Sequence, residues 1–290
     1  MADPRLAAAL KAGRFITAPG IYDMISARIA DRMGFEALYA TGFGTVASHL
    51  GVPDAGIATY TDMVSRMGTF ARGCATPVIA DADTGYGGLL NVRHTVQGYE
   101  AAGIAAIQLE DQESPKKCGH TPGRRVIPAE EMALKIRVAA EARKSPDFLI
   151  IARTDARTQH GLAEAIRRAR LYAEAGADIL FVESPESEAE LAEIGRALRG
   201  IPLLANMVEG GRTPLLPASR LKELGYAIAI WPAAGFLSAA AALERAYGEL
   251  KATGSTLGLP PGASYGFERM TDLMGFPEIH AFERRWAREG

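Results

Sequence analysis

The sequence predicts an α/β fold, a (β/α)8 TIM barrel, on three observations. Eight short apolar runs suited to buried parallel strands recur along the chain, segments of helical period separate them, and glycines punctuate the joints. The runs stand about thirty residues apart on average, the length a strand-plus-helix unit needs. A doubly wound open sheet uses the same units, but no Gly-rich dinucleotide fingerprint follows the first run.

Taken in order, the predicted strands are FITA (15–18), ALYA (37–40), PVIADA (77–82), AAIQLE (105–110), FLIIAR (148–153), ILFVE (179–183), LLAN (203–206) and AIAIW (227–231). Four of them follow a glycine, at Gly34, Gly103, Gly176 and Gly225, where a helix should end, because glycine enters the left-handed conformation without a Cβ penalty. Between strands, segments such as AEAIRRARLYAEAG place Ile166, Ala169 and Tyr172 on one helix face. No linker or low-complexity tract divides residues 1–240, so one barrel domain over 1–290 is expected. After the last strand come a helix, a Gly/Pro-rich turn over 254–266 and an aromatic-bearing end. Residues 241–290 are therefore expected as a helical tail, packed on a neighbouring subunit or folded back on its own barrel.

Composition narrows the partners. The 290 residues are 48% hydrophobic with 32 basic and 34 acidic side chains, a net charge of -2. Such a chain can bury a large core, and without a dense Lys/Arg stretch it points away from nucleic acid and from anionic membranes, towards small metabolites. The N-terminus carries an early Asp-Pro and no long apolar core, matching neither a signal peptide nor a membrane span, so a cytoplasmic protein is expected. The two cysteines, Cys74 and Cys118, have no zinc spacing. Cys74, just before a strand, reads as a small buried hydrophobe.

In a barrel of this kind functional side chains come from the C-terminal ends of strands and the loops beyond. Asp81 and Asp83 end the third strand on one side of it, and Glu110 and Asp111 end the fourth. Carboxylates converging at one rim repel unless a cation sits among them, and an all-oxygen set suits Mg2+ or Mn2+. The alternative, Asp81 and Asp83 serving only as caps in the TGYGG turn, is weakened by Glu110 at the same level of the next strand. Thr41, Arg153, Asp155, Glu183 and Asn206 also end strands. Arg153 needs an anion there, either Glu183, a substrate carboxylate, or both. Cys118 lies in SPKKCGH beside Lys116, Lys117 and His120, whose positive charge favours the thiolate. With neither a nucleophile elbow nor a Ser/Cys-His-Asp order, acid-base work is favoured over nucleophilic attack, on a loop able to close over substrate. A solvated surface loop with an incidental cysteine is the plainer reading. The remaining histidines, His49, His94, His160 and His280, form no cluster in sequence.

With KKCGH, ADADTGYG and LEDQ, and YATGFG, LGVPDAG, IIARTDA, FVES and LANMVEGG in matching order from about Ile16 to Ala240, the chain resembles the isocitrate lyase and phosphoenolpyruvate mutase superfamily, in its branch of short acid lyases. The resemblance implies a barrel whose C-terminal helix is swapped between subunits, commonly a homotetramer that is a dimer of swapped dimers, with Mg2+ at the mouth. It makes Asp83 the direct metal ligand, with Asp81 and Glu110 acting largely through water and Asp54 in support. Tyr39, Thr41 and Gly42 would contact the 2-oxoacid half of a dicarboxylate substrate, Arg153 its carboxylate, and Glu183 and Asn206 would complete the pocket. Cys118 would be the general acid on a gating loop that also carries Lys116, Gly119 and His120. Within the family, methylisocitrate lyases have an arginine at the position of Leu237 and glycine at that of Phe43, so a tricarboxylate is disfavoured. NMVEGG resembles the dimethylmalate lyase and oxaloacetate hydrolase subgroup, in which proline, at the position of Pro232, goes with carbon-carbon lyases and serine with oxaloacetate hydrolysis. The implied activity is cleavage of 2,3-dimethylmalate or a similar alkylmalate to pyruvate and a short acid. Oxaloacetate hydrolysis or decarboxylation comes next, then methylisocitrate cleavage, and last a non-catalytic binding barrel.

Overall fold

A computed structural model describes residues 2–119, 121 and 123–287. The chain forms two compact units, Met1–Gly235 and Phe236–Gly290. The first contains eight parallel strands, β1 (Ile16–Ile21), β2 (Leu38–Ala40), β3 (Val78–Asp81), β4 (Ala106–Glu110), β5 (Leu149–Thr154), β6 (Ile179–Val182), β7 (Leu204–Asn206) and β8 (Ile228–Trp231). They pair in the order β6-β5-β4-β3-β2-β1-β8-β7, and a parallel bridge between Leu180 and Leu203 joins the two ends. The sheet is thus a closed barrel, each strand followed by helix, as the eight apolar runs predict.

Every residue of β3, β4, β5 and β6 is buried, because helices cover the outer face and side chains fill the inner one. Two clusters result. One lies between strands and helices and includes Ile107, Ile150, Leu180 and Tyr172. The other fills the barrel, with Ile16, Ile79, Ile151, Phe181 and Ile230, and Leu6 and Ala7 of the helix Pro4–Lys11 join it against the strand starts. That helix, capped by Asp3, plugs the barrel floor and has no counterpart in the sequence-based reading.

Gly34, Gly103, Gly176 and Gly225 all have positive φ, as the helix-to-strand joints require. In the helix Leu162–Glu174, Ile166, Ala169 and Tyr172 are buried together. One strand departs from expectation. β1 runs on through Pro19 and Gly20, which read as punctuation, because β8 pairs with it as far as Trp231. A Cβ on Gly20 would lie 2.3 Å from the Pro232 carbonyl oxygen, so glycine is what lets the two strands approach.

The second unit carries most of the helix Ala234–Thr253 and the helices Phe267–Leu273 and Phe276–Trp286. Among the described residues no helix is long and apolar enough to cross a membrane.

Candidate active site

Period-two alternation builds the barrel mouth. Counting two residues on from the inner-face residues Ile79, Ile151, Phe181 and Leu204 gives Asp81, Arg153, Glu183 and Asn206, and counting from Ala106 gives Gln108 and then Glu110. These polar side chains therefore form the top layer of the interior, and all are buried. In register, Glu110 stands beside Arg153 and Asp81 beside Gln108.

Arg153 is the centre of one half. Its Nε and Nη2 each donate to Asp155 at 2.9 Å, and the guanidinium also faces Glu110 at 3.4 Å and Glu183 at 3.3 Å. Both alternatives for its anion are thus open at once: it has structural carboxylates, and at the two longer distances its N–H groups are not spent on good hydrogen bonds. Glu183 accepts from Asn206 Nδ2 at 3.0 Å and from the Ser184 N–H at 2.7 Å. Asp155 is held below the usual carboxylate range, since Arg153 and Arg124 outweigh the burial that opposes ionisation.

The other half is acidic. Tyr39 donates from its hydroxyl to Gln108 at 2.7 Å, and Gln108 Nε2 donates to Asp81 at 3.2 Å, so Tyr39 reaches the carboxylates through Gln108, which the sequence reading passed over. Asp83 takes the left-handed conformation with φ 49, as do Tyr86 and Ser184 close by in sequence to the same rim. Non-glycine residues persist there only where the surroundings hold them, as at functional sites. Lys116 Nζ lies 2.7 Å from Asp83 Oδ1 and also bonds Asp54, which brings Asp54 into the group from 62 residues away. Burial lifts the Asp83 carboxyl to about 7, with Asp81 and Asp54 adding repulsion and Lys116 opposing. Burial likewise raises Asp81 and Glu110. Lys116 is held well above the usual lysine range, the surrounding carboxylates outweighing desolvation.

These residues suit a divalent cation. Glu110 Oε1 is buried without a hydrogen-bond partner among the described residues, and a Cβ on Gly42 would come within 2.6 Å of Asp81 Oδ2, so the rim beside Asp81 is kept free of side chain. The donors are hard oxygens whose crowding disfavours ionisation in the absence of added positive charge. Among the described residues no group of three or more His, Cys, Asp or Glu side chains is placed to hold a metal ion by itself.

Asp111, expected at the same rim, is not there. One residue past Glu110, it faces outward and accepts from Thr154 Oγ1 at 2.7 Å, Tyr172 OH at 2.8 Å and Arg168 Nη1 at 3.1 Å. It anchors the helix Leu162–Glu174 to the barrel.

The segment between β4 and the helix Ala129–Ala142 folds over the mouth. A bridge pairs Gln112 with Val126, and the Gln112 amide clamps the Lys117 backbone, accepting from its N–H and donating to its carbonyl, both at 2.9 Å. Gly119 is seated on the site, since a Cβ there would lie 2.3 Å from Arg153 Nη2 and 2.9 Å from Glu183 Oε2, and its carbonyl accepts from Ser184 Oγ. Half-buried Cys118 is therefore next in chain to a residue touching Arg153. The two ammonium groups read as its neighbours are engaged elsewhere, Lys116 on Asp54 and Asp83, Lys117 on the Gly123 carbonyl at 3.2 Å. His120 lies outside the described residues. Thr41 is buried at the start of the helix Gly42–Leu50, and Phe43 is partly exposed on it. Pro232 sits across the barrel from β4, against Gly20. His94, with Tyr60, Tyr86 and Asn91, lines a cavity of about 380 Å³ that ends at Asp83 and Lys116.

Comparison with known proteins agrees with this geometry. The family model described as phosphoenolpyruvate phosphomutase matches residues 6–251. The chain is 48% identical over 278 residues to the 2,3-dimethylmalate lyase of Eubacterium barkeri, covering 96% of each protein. Among solved structures, oxaloacetate acetylhydrolase in complex with the inhibitor 3,3-difluorooxalacetate superposes with a TM-score of 0.92 at 37% identity, over 97% of this chain and 95% of that one. Phosphonopyruvate hydrolase in complex with oxalate and Mg2+ superposes with a TM-score of 0.88 at 29% identity, over 99% and 100%. The chain belongs to the phosphoenolpyruvate mutase/isocitrate lyase superfamily and is a carbon-carbon lyase of it.

Proposed function

We propose that the chain is a Mg2+-dependent lyase that cleaves 2,3-dimethylmalate, or a close alkylmalate, to pyruvate and a short monocarboxylic acid. The observation that carries this reading is Gly119 seated on Arg153 and Glu183, because it brings the Cys118 segment over a mouth that holds both a carboxylate-binding cation and a buried acidic group.

Asp83 would hold the metal directly, with Asp81 and Glu110 reaching it through water and Asp54 fixing Lys116 beside it. Held there, Mg2+ would supply the positive charge that stabilises the oxyanion developing on a 2-hydroxy acid. Arg153 takes a substrate carboxylate, and Glu183 and Asn206 hold Arg153 in place for it. Tyr39, Thr41, Gly42 and Phe43 bound the 2-oxoacid half, and Pro232 the far wall. The hydroxyl gives up its proton to a water at the mouth, which later returns it to the Cys118 thiolate, and its oxygen becomes the carbonyl of pyruvate as the adjacent carbon-carbon bond breaks and leaves its electron pair on the carbon of the departing fragment. Cys118 then delivers the thiol proton to that carbon, and the segment with Lys116, Gly119 and His120 keeps water out while it does so. A homotetramer of helix-swapped dimers in the cytoplasm completes the reading, supported by the apolar side chains the second unit exposes.

Turnover tests it. Wild type with Mg2+ is expected to release pyruvate from 2,3-dimethylmalate, to lose activity with EDTA, and to turn over methylisocitrate and oxaloacetate poorly; Cys118→Ser is expected to lower kcat by at least about 100-fold. Oxalate formed from oxaloacetate as the fastest reaction would replace the lyase reading with a hydrolase one, and full activity of Cys118→Ser would remove the acid assignment.

A further inference from the structure

Arg124 lies in the segment between β4 and the helix Ala129–Ala142, yet its side chain is only 2% exposed, against 71% for its neighbour Arg125. A surface connection buries a guanidinium only where an anion receives it. Here Nη1 bonds Asp155 Oδ1 and Nη2 donates to Thr158 Oγ1 at 2.7 Å. The same Asp155 Oδ1 accepts from Arg153 Nη2 at 2.9 Å. One carboxylate is thus divided between two arginines, and the burial has a cost, since Arg124 Nε is left without a hydrogen-bond partner among the described residues.

The division matters because Arg153 is surrounded by three carboxylates, Glu110, Asp155 and Glu183. With Arg153 as their only cation, that group would carry net negative charge, and an incoming carboxylate would be a fourth anion. Arg124 adds a second positive charge, so that three carboxylates face two arginines instead of one, and it takes part of the Asp155 charge that Arg153 would otherwise offset alone. We propose that Arg124 is a positioning residue for carboxylate recognition: by sharing Asp155 it leaves part of the Arg153 charge uncompensated and keeps the guanidinium turned towards the substrate. Because Arg124 is six residues from Cys118 on one segment, the charge that favours substrate binding and the proton donor arrive on the same piece of chain. This rests on the reading of Arg153 as the substrate-carboxylate ligand.

The test is calorimetric titration of oxalate into the full-length Mg2+-loaded protein, with Mg2+ affinity measured separately. Arg124→Gln is expected to weaken oxalate binding by about 30-fold while changing the Mg2+ Kd by less than about twofold, and Arg124→Lys to recover oxalate binding to within about fivefold of wild type. Oxalate affinity equal to wild type in Arg124→Gln, or an equal loss of Mg2+ affinity, overturns the proposal. Wild type that binds Mg2+ but no oxalate overturns the reading of Arg153 itself, and the proposal with it. Should Arg124→Gln not fold, Thr158→Val decides, with a loss of about threefold expected and no loss overturning the proposal.

Discussion

At the scale of single residues, both cysteines are half-buried, Cys74 less deeply than its sequence context predicts, and packing distinguishes Cys74. Cys74 packs against the outer core, and burial, aided by the nearby charge of Asp31, pushes its thiol up to about 11. An unfolded thiol ionises near 9, so below that pH the native thiolate fraction at Cys74 is about 100-fold lower than in the unfolded chain. The sign follows from linkage. Between pH 9 and 11 the native state retains a proton that the unfolded chain has released, so this group's contribution to stability falls as pH rises through that window. Iodoacetamide at pH 8, read by peptide mass spectrometry, is expected to modify Cys118 and spare Cys74 until the chain unfolds or the pH approaches 11. Equal labelling of both would contradict the burial argument.

At the scale of the strand, parity decides which way a carboxylate works. Asp81 and Glu110 face the barrel interior, whereas Asp111 faces the helices and accepts buried hydrogen bonds from three side chains. Asp111→Ala would remove the buried acceptor shared by Thr154, Tyr172 and Arg168, although Arg168 keeps Glu164 and the Ile127 carbonyl, and a loss of about 1–3 kcal/mol in denaturant-measured stability is expected. Asp81→Ala should cost far less stability in metal-free protein, because it removes a charge from a crowded group, while abolishing turnover. Similar destabilisation by the two substitutions would refute the division. The apolar runs and their glycine joints made the barrel legible, because strand burial and helix termination are local events. Asp81, Asp83, Glu110, Arg153, Glu183 and Asn206 were legible for the same reason, being polar residues at the ends of apolar runs. Asp111 was misread although its parity is in the sequence, since adjacent strand residues face opposite sides. Gln108 could have been found by that count too. The Lys116 partnership with Asp54 could not, because nothing local announces a contact across 62 residues.

At the scale of the whole molecule, the second unit explains why a finished barrel continues for another fifty-odd residues. The helix Ala234–Thr253 contains no buried residue, and Leu243, Tyr247 and Leu250 on it are exposed. In the helix Phe276–Trp286, Phe282 and Trp286 are 66% and 65% exposed, and Phe276 and Ile279 are exposed beside them. Short helices with large apolar side chains on open display are not stable in water by themselves, and several exposed large side chains on one helix suit an interface. On the proposed reading a second copy of the chain would cover it, since a cyclic assembly buries the same surface on every subunit. On the proposed homotetramer, sedimentation of the wild type is expected to give four times the chain mass of 30.8 kDa. Replacing Phe282 and Trp286 together by Asp should shift the population to smaller species, because two charges would be desolvated at the interface. The barrel should keep its Mg2+ affinity in those smaller species, as Asp81, Asp83 and Glu110 all belong to the first unit. A wild type that sediments as a single chain would instead require the tail to find its cover on its own barrel.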